Sequence, residues 1–249
     1  MSLPVQDPGA PRYPRALVVM VKSPQPGACK TRLCPPLTPD EAAELYVAFL
    51  EDIGRELPDE AFEGDLWVAW ADDSEKGPGQ DAAVPETLQS CFGAPFRFLQ
   101  QRGGSLAARM DAVFSDLFRK GYQQVVMRNS DSPHLPMPLL SAAFDALQHQ
   151  RGSIALGPDL DGGYYLAGLD VPPDGLFPQA MSTSSVLDET IRNAKQRDLR
   201  VELLEPFLDI DTADDLVTFW LEFGGRADVR HWSTWKLLND NPLIDRLGA

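Results

Sequence analysis

Continuous apolar runs alternate along the chain with stretches of helical periodicity. Ala16–Val21 is entirely apolar, as strands covered on both faces tend to be. A helix is predicted to follow, because Thr38 and Glu41 match a capping box and Pro39 stands at the first helical position. Apolar residues then recur at helical spacing as far as Leu57.

The same alternation continues to residue 223. Further strands are predicted at Leu66–Ala71, Phe96–Leu99, Gln124–Met127, Ser153–Leu156, Tyr164–Leu169 and Val201–Leu204. Further helices are predicted at Ser105–Arg119, Leu139–Gln148, Val186–Gln196 and Ala213–Phe223, and residues 72–94 at most hold a short one. Strands that alternate with helices indicate an α/β fold with a mostly parallel sheet. Ligands of such folds bind beyond the carboxyl ends of the strands.

The pattern predicts one domain with two flanking segments. Residues 1–14 contain four prolines and are expected to form a flexible lead. Residues 15–224 form the α/β domain, and residues 225–249 form a C-terminal extension. Trp232 and Trp235 of the extension can pack on this chain or on a neighbour, so the oligomeric state stays open.

Charge and cysteine content narrow the classes of partner. Among 249 residues, 22 are Lys or Arg and 37 are Asp or Glu, which gives a net charge of −15. Such a surface repels nucleic acid and anionic membranes, so we expect neither as a partner. Three cysteines without a CxxC pair fit a reducing compartment. With no apolar signal core near the start, we expect a cytoplasmic protein.

A basic loop follows the first predicted strand. Residues 22–33 read KSPQPGACKTRL and bring Lys22, Lys30 and Arg32 together around Gly27. Lys and Arg suit phosphate oxygens, and glycine lets the backbone approach them. The loop is not a Walker A motif, because Pro24 and a cysteine stand where glycines are needed. A solvated loop that balances an acidic protein is the alternative.

Acidic residues follow two later segments. Asp131 comes after the strand at 124–127, where a carboxylate suits Mg²⁺ or Mn²⁺; an Asx turn is the alternative. If residues 209–211 are extended, Asp209 and Asp211 face one side and Ile210 the other. Adjacent carboxylates repel unless a cation lies between them. Helix capping by Asp211 is the alternative, but it leaves Asp209 unexplained.

Two glycine-rich segments add candidate ligand contacts. Residues 157–165, GPDLDGGYY, predict a hairpin in which Asp161, Gly162 and Gly163 are open to a substrate. Gly103, Gly104 and Ser105 open a helix whose free backbone N–H groups can receive a base edge or a phosphate. A capped helix start is an equally consistent interpretation.

Together these motifs resemble a family of glycosyltransferase-A-like proteins that are often encoded beside radical-SAM or selenium-related proteins. The motifs are K-x-P-x-PG-x-x-KTRL at 22–33, GGSLAARM at 103–110, SDSPHL at 130–135, GPDLDGGYYLAGL at 157–169 and DIDTADDL at 209–216. The resemblance covers residues 16–223 and implies a three-layer αβα nucleotide-diphospho-sugar transferase fold. A more distant similarity is to guanylyltransferases that activate phospholactate or phosphoenolpyruvate.

The resemblance also implies roles for individual residues. Asp131, Asp209 and Asp211 would hold Mg²⁺ or Mn²⁺, Lys30 and Arg32 would contact phosphates, and residues 103–105 would lie near the base. The implied activity is transfer of a nucleotidyl group from an NTP to a phosphorylated small acceptor. Glycosyl transfer from an NDP-sugar and nucleotide binding without turnover are the alternatives.

The chain departs from the family pattern at two points. Arg128 and Asn129 stand where relatives usually have small apolar or glycine residues, which changes charge and space beside the metal. Residues 181–183 read MST where many relatives have WST, so we expect a different acceptor pocket.

Overall fold

One α/β sheet with helices on both faces makes up the body of the protein. The computed structural model describes residues 11–59, 62–71, 83–148, 151–181, 183–241 and 243–247. The strands are β1 (Arg15–Val21), β2 (Asp65–Trp70), β3 (Arg97–Gln100), β4 (Gln124–Arg128), β5 (Ser153–Pro158), β6 (Tyr164–Leu169) and β7 (Arg200–Leu203). The helices are α1 (Pro39–Asp59), α2 (Glu86–Cys91), α3 (Leu106–Lys120), α4 (Met137–Ala146), α5 (Val186–Gln196), α6 (Ala213–Phe223), α7 (Ser233–Asp240) and α8 (Leu243–Leu247).

The described strands pair in the order β3-β2-β1-β4-β6-β5-β7. Pairing is parallel except for β6, which runs antiparallel to both of its neighbours. The predicted α/β class and mostly parallel sheet are therefore confirmed. The β5–β6 pair is the hairpin expected from the Asp-Gly-Gly turn. With β1 and β4 adjacent, the loops that follow them meet at one edge of the sheet.

Two separate cores cover the two faces of the sheet. The larger core packs α1, α2, α4, α6, α7 and α8 against one face. The smaller core packs α3 and α5 against the other face, and Met110, Phe114 and Met127 belong to it. This arrangement is the three-layer αβα architecture that the resemblance implies.

Helix boundaries follow local capping chemistry. Glu41 accepts from the backbone N–H of Thr38 at 2.8 Å, and the hydroxyl of Thr38 accepts from the backbone of Glu41 at 3.3 Å, so the predicted capping box of α1 is present. Helix α6 has the bounds predicted for it. Helix α4 begins at Met137, two residues before the prediction, because extended Pro136 precedes it and a proline is tolerated in its first turn.

The C-terminal extension packs on its own chain. Buried Asp52 of α1 accepts hydrogen bonds from the backbone N–H groups of Ser233 and Thr234, at 2.6 and 2.9 Å. Helices α7 and α8, which periodicity had not indicated, both contribute residues to the larger core. The carboxylate thus ties the first turn of α7 to α1.

Parts of two predicted loop segments lie outside the described residues. These parts are residues 1–10 of the predicted lead and residues 72–82 of the predicted loop. Residues 11–14 are anchored, since the backbone N–H of Arg12 donates to Asp65 at 2.9 Å and the carbonyl of Pro14 accepts from Gln123 at 2.7 Å. Helix α2 is the short helix expected within 72–94. Across the described ranges, no helix is both long and apolar enough to cross a membrane.

Candidate functional site

A cleft of about 600 Å³ opens at the carboxyl ends of β1 and β4. Its size is that of a small-molecule site. Charged residues form one side: Lys22, Arg32, Arg128, Asp131, Asp159, Asp161, Asp209 and Asp211. The other side, toward the smaller core, is mostly apolar: Met20, Met110, Met127, Tyr164, Ala167 and Met181 belong to that core or pack against it, and Leu106 also lines the cleft. The cleft therefore joins most of the segments that carry the predicted chemistry.

Lys30 supplies a buried cation behind the cleft. Its side chain is 3 % exposed, and its ammonium contacts the carboxylates of both Asp131 and Asp211, the second at 3.1 Å. It also donates to the carbonyl of Ile210 at 2.6 Å. Burial lowers the pKa of Lys30, but the two carboxylates outweigh that effect and raise the pKa above its ordinary value. Lys30 is therefore charged, and it joins the loop after β1 to the segment before α6.

The backbone of Lys30 adopts the left-handed conformation, with φ of 49°. This conformation costs a non-glycine residue of order 1 kcal/mol. The ammonium contacts hold the residue there, because they fix the far end of the same side chain. Lys30 does not itself line the cleft, and the exposed basic groups that do are those of Lys22 and Arg32.

Asp131 and Asp211 share Lys30 and also face the cleft. The side chain of each is 37 % exposed. Arg32 lies 3.4 Å from the second oxygen of Asp211 and keeps 61 % of its own side chain exposed. Ile210, between the acids, is completely buried, so the predicted alternation along 209–211 is present. The Lys30 ammonium lies between Asp131 and Asp211, and a cation between Asp209 and Asp211 stays a prediction.

Asp209 has different partners from the other two acids. Its two carboxylate oxygens accept hydrogen bonds from the hydroxyl of Ser132 at 2.5 Å and the amide of Asn129 at 2.7 Å. Burial raises the pKa of Asp209 to about 7, and the charge of Asp131 adds to the effect of burial. Asp209 therefore holds the loop after β4 in place, with both oxygens already engaged.

Arg128 is a second buried cation at the end of β4. Its side chain is 2 % exposed, and its guanidinium donates to the carbonyl of Asn129 at 2.9 Å and to the carbonyl of Ser132. Burial lowers its pKa to about 10, while the carboxylates of Asp209 and Asp131 act in the opposite direction. Arg128 and Asn129, the departures from the family pattern, thus position the turn that carries Asp131.

The hairpin segment contributes two more carboxylates. Asp159 accepts from the backbone N–H groups of Asp161 and Gly163, at 3.2 and 2.7 Å. Burial raises the pKa of Asp159 to about 6, and its contact with Asp161 contributes. Asp161 is 66 % exposed and lies 3.8 Å from Arg32. The predicted site residues Asp161 and Gly163 line the cleft, and Asp159 joins them.

The remaining predicted glycines shape the loops around the cleft. Gly162 has φ of 98°, and a Cβ there would lie 2.3 Å from the carbonyl oxygen of Ser184. Gly103 has φ of 134°, and a Cβ would come within 2.9 Å of the backbone of α3. Gly27 has φ of 78° with open space around it. These positions require glycine for conformation or for close packing.

The start of α3 is capped, as the alternative interpretation expected. The Ser105 hydroxyl accepts from the backbone N–H of Ala108 at 3.2 Å. Residues 103–105 do not themselves line the cleft, although Leu106 and Met110 directly after them do. The motif at 103–110 thus reaches the lining of the cleft through Leu106 and Met110, and not through its glycines.

The apolar side of the cleft was missed from the sequence. Met20, Met110, Met127 and Met181 come from β1, α3, β4 and the segment before α5, and all four face the cleft. These residues are separated by as many as 161 positions and share no motif. The MST departure at 181–183 pointed to this side, and its Met181 accepts a hydrogen bond from Tyr164 at 3.9 Å.

The carboxylates fit one kind of metal site. Among the described residues, no three His, Cys, Asp or Glu side chains are grouped as a metal cage. Mg²⁺, however, is commonly held by one or two carboxylates together with water and substrate phosphates. Asp131 and Asp211 supply two such partly exposed carboxylates on one cleft. This donor set fits a metal that arrives with a phosphorylated ligand.

Comparison with known proteins relates the chain to a bacterial family. The family model described as "Uncharacterized protein conserved in bacteria (DUF2064)" matches residues 60–185. A crystal structure from Desulfovibrio desulfuricans G20, provisionally named a nucleotide-diphospho-sugar transferase, is 31 % identical with a TM-score of 0.81. The match covers 94 % of this chain and 98 % of that one. No curated protein matches the chain significantly.

More distant structures share the fold alone. A cytidylyltransferase from Leptospira borgpetersenii serovar Hardjo-bovis is 11 % identical, with a TM-score of 0.55 over 94 % of this chain and 97 % of that one. A 4-diphosphocytidyl-2C-methyl-D-erythritol synthase is 13 % identical, with a TM-score of 0.50 over 83 % and 96 %. The predicted nucleotide-diphospho-sugar transferase fold is thereby confirmed.

Proposed function

The chain belongs to the DUF2064 family, and from that membership together with its charged cleft we propose that it is a magnesium-dependent nucleotidyltransferase. It would transfer a nucleotidyl group from an NTP to a small acceptor and release pyrophosphate. Support comes from the nucleotide-diphospho-sugar transferase name of its 31 % identical relative. The cytidylyltransferases of similar fold are consistent with this class of reaction.

One observation carries the proposal: two partly exposed carboxylates and two open basic groups line the same side of one cleft. Asp131 and Asp211 lie there with Lys22 and Arg32, and Arg32 is 3.4 Å from Asp211, within a site of small-molecule size. A triphosphate needs cations along its length, and Arg offers a bidentate fork for its oxygens. Lys22 and Arg32 would bind the phosphates, and Asp131 and Asp211 would hold the metal.

When bound, Mg²⁺ would offset the charge that develops on the phosphate oxygens. The protein then needs no nucleophile of its own, because positioning and fixed charge lower the barrier. Lys30 would act as a positioning residue that keeps Asp131 and Asp211 together before ligand arrives. Asp209 would fix the loop after β4 through Ser132 and Asn129, rather than serve as a third ligand.

The other predicted contacts take secondary places in this proposal. The backbone at Gly103, Gly104 and Ser105 would lie near the base, above the start of α3. Residues 161–163 would border the acceptor. Gly27 would let the basic loop bend toward the phosphates. The phosphorylated acceptor, as in the phospholactate guanylyltransferase similarity, and a cytoplasmic location stay predictions.

Glycosyl transfer from an NDP-sugar is the second candidate. The name of the relative from Desulfovibrio desulfuricans favours it, since it refers to nucleotide-diphospho-sugars. The same carboxylates and basic groups would bind the diphosphate. The two reactions differ in their products, because only nucleotidyl transfer releases pyrophosphate.

A thermal-shift panel of NTPs, NDPs and NDP-sugars, each with Mg²⁺, Mn²⁺ or EDTA, tests both candidates. A ligand at 100 times its Kd stabilises a protein by about 2.7 kcal/mol, which raises Tm by about 2–4 °C at this size. We expect a metal-dependent shift with NTPs that Asp131→Asn abolishes. Asp240→Asn, an exposed substitution at the end of α7, is the matched control.

The best donor is then followed by phosphorus NMR with candidate acceptors. Pyrophosphate among the products supports nucleotidyl transfer, and NDP release supports the glycosyl alternative. Stabilisation by nucleotide without metal dependence, or no stabilisation by any of these ligands, would contradict the proposal.

A further inference from the structure

The proposed triphosphate would use both exposed basic side chains of the cleft. Of those that line it, Lys22 and Arg32 are open to solvent, and both belong to the basic loop after β1. Arg128 is buried on two backbone carbonyls, and Lys30 is buried on two carboxylates. A triphosphate would occupy both open groups. No lysine or arginine lines the apolar side among the described residues.

The charge balance argues against a second phosphorylated ligand. Five carboxylates line the cleft, and four basic side chains line or underlie it. One Mg²⁺ would leave a formal charge near +1 before an NTP brings about four negative charges. A phosphorylated acceptor would add two more negative charges beside Asp159 and Asp161, where like charges repel at short range.

The apolar side of the cleft, whose end at the start of α3 would border the base, is suited to an apolar body. Met20, Met110, Met127 and Met181 surround it, and Leu106, 47 % exposed, stands beside them. Methionine side chains are flexible and polarizable, so they adapt to apolar and aromatic groups. The side is the open edge of the smaller core, to which Met110 and Met127 belong.

From these observations we propose that the acceptor is a phosphate-free alcohol with an apolar body, bound on the methionine side of the cleft. The inference rests on the proposed nucleotidyl transfer. The acceptor oxygen forms a bond to the α-phosphorus while the bond from that phosphorus to the pyrophosphate leaving group breaks. The hydroxyl proton passes to a carboxylate of the charged side of the same cleft, for which Asp159 is placed.

Methionine methyl signals give a direct test. The protein is labelled with ¹³C-methyl methionine, saturated with Mg²⁺ and its best NTP, and titrated with 2-phenylethanol or 2-phenylethyl phosphate. We expect 2-phenylethanol to shift the signals of Met110, Met127 and Met181 and to bind at least tenfold more tightly than the phosphate. Met137, which packs on the larger core, serves as the internal control.

A pair of lysine variants tests the charge argument. Met181→Lys places a cation on the apolar side and is expected to reverse the preference toward the phosphate. Leu221→Lys, at a residue 73 % exposed on α6, should leave the preference unchanged. Binding of the phosphate as tightly as the alcohol by the unaltered protein would overturn the inference, and so would unshifted cleft methyl signals.

The outcomes separate this inference from the proposed function. One outcome is that the NTP itself shifts these methyl signals and prevents 2-phenylethanol from binding. The methionine side would then be the subsite for the base, so the inference would be overturned while nucleotide binding would stand. If no NTP binds but 2-phenylethanol shifts the cleft methyl groups of the free protein, the proposed function fails and the apolar subsite stands.

Discussion

Replacing Lys30 by methionine should cost the protein about 2 kcal/mol and make its stability depend on Mg²⁺. The ammonium contacts one oxygen of Asp131 and, at 3.1 Å, one of Asp211, so those oxygens lie within roughly 6 Å of each other. Two charges at that distance repel by about 3 kcal/mol at an effective dielectric constant of 20. Exposure of 37 % of each side chain reduces the figure.

Urea unfolding of Lys30→Met at pH 7, with EDTA or with 10 mM Mg²⁺, measures the effect. Mg²⁺ should recover part of the lost free energy of unfolding, because it replaces the missing cation between the carboxylates. Asp131→Asn in the Lys30→Met background should also recover stability, because it removes one of the repelling charges. Unaltered stability of Lys30→Met, or a loss that neither Mg²⁺ nor Asp131→Asn reduces, would refute the reasoning.

The direction of the Lys30 pKa shift determines the pH range over which Lys30 stabilises the protein. Its pKa is raised in the folded protein, so the stabilisation is complete at pH 7 and is lost only as pH rises through the folded pKa, above the ordinary value of 10.5. Wild type and Lys30→Met should therefore differ by the same amount at pH 6 and pH 8. Convergence of the two within this range would show that the lysine is not the buried cation.

Three further predictions concern the loops and the extension. Gly162→Ala should lower Tm several degrees more than Gly152→Ala. Both glycines have positive φ, but only a Cβ at Gly162 would meet the backbone of Ser184. Similar losses of Tm in the two variants would show that the close approach is relieved easily. Asp52→Ala should cost about 2–4 kcal/mol in urea unfolding, because the buried N–H of Thr234 and the partly buried N–H of Ser233 lose a charged acceptor. It should also expose the extension to limited proteolysis, and resistance equal to wild type would contradict that role. Burial raises the pKa of Asp159 to about 6, so between pH 4 and 6 the folded state holds a proton that the unfolded state has lost. The free energy of unfolding should therefore fall as pH rises through this range. Asp159→Asn should make the slope shallower, and an unchanged slope would assign the pH dependence to other groups.

Much of the fold could be predicted from the sequence because local signals agree with the global arrangement. The capping box at Thr38 and the apolar run at 16–21 each determine an element without help from distant residues. Helices α7 and α8 could not be predicted in this way. The first turn of α7 is held by Asp52, about 180 positions earlier in the chain, and α8 packs into the larger core.

The charged side of the site was predictable for a related reason. Asp131 follows β4, whose carboxyl end lies beside that of β1, so its position in the motif implies that it reaches the cleft. Asp211 lies well beyond β7, which is not a neighbour of β4, and its place beside Asp131 was implied by the family resemblance. The position of Lys30 was not predictable. A lysine in a basic loop is interpreted as a phosphate ligand unless the structure shows that its side chain is buried. The methionine side was missed because its four members come from four separate elements and share no spacing.

The most direct test of the proposed site is anomalous diffraction from Mn²⁺ in crystals of the protein with the nucleotide that stabilises it most. We predict a peak about 2.1 Å from carboxylate oxygens of Asp131 and Asp211, with the nucleotide phosphates between it and Arg32. A nucleotide bound elsewhere, or a complex in which Lys30 still bridges the two carboxylates and no manganese lies beside them, would contradict the account.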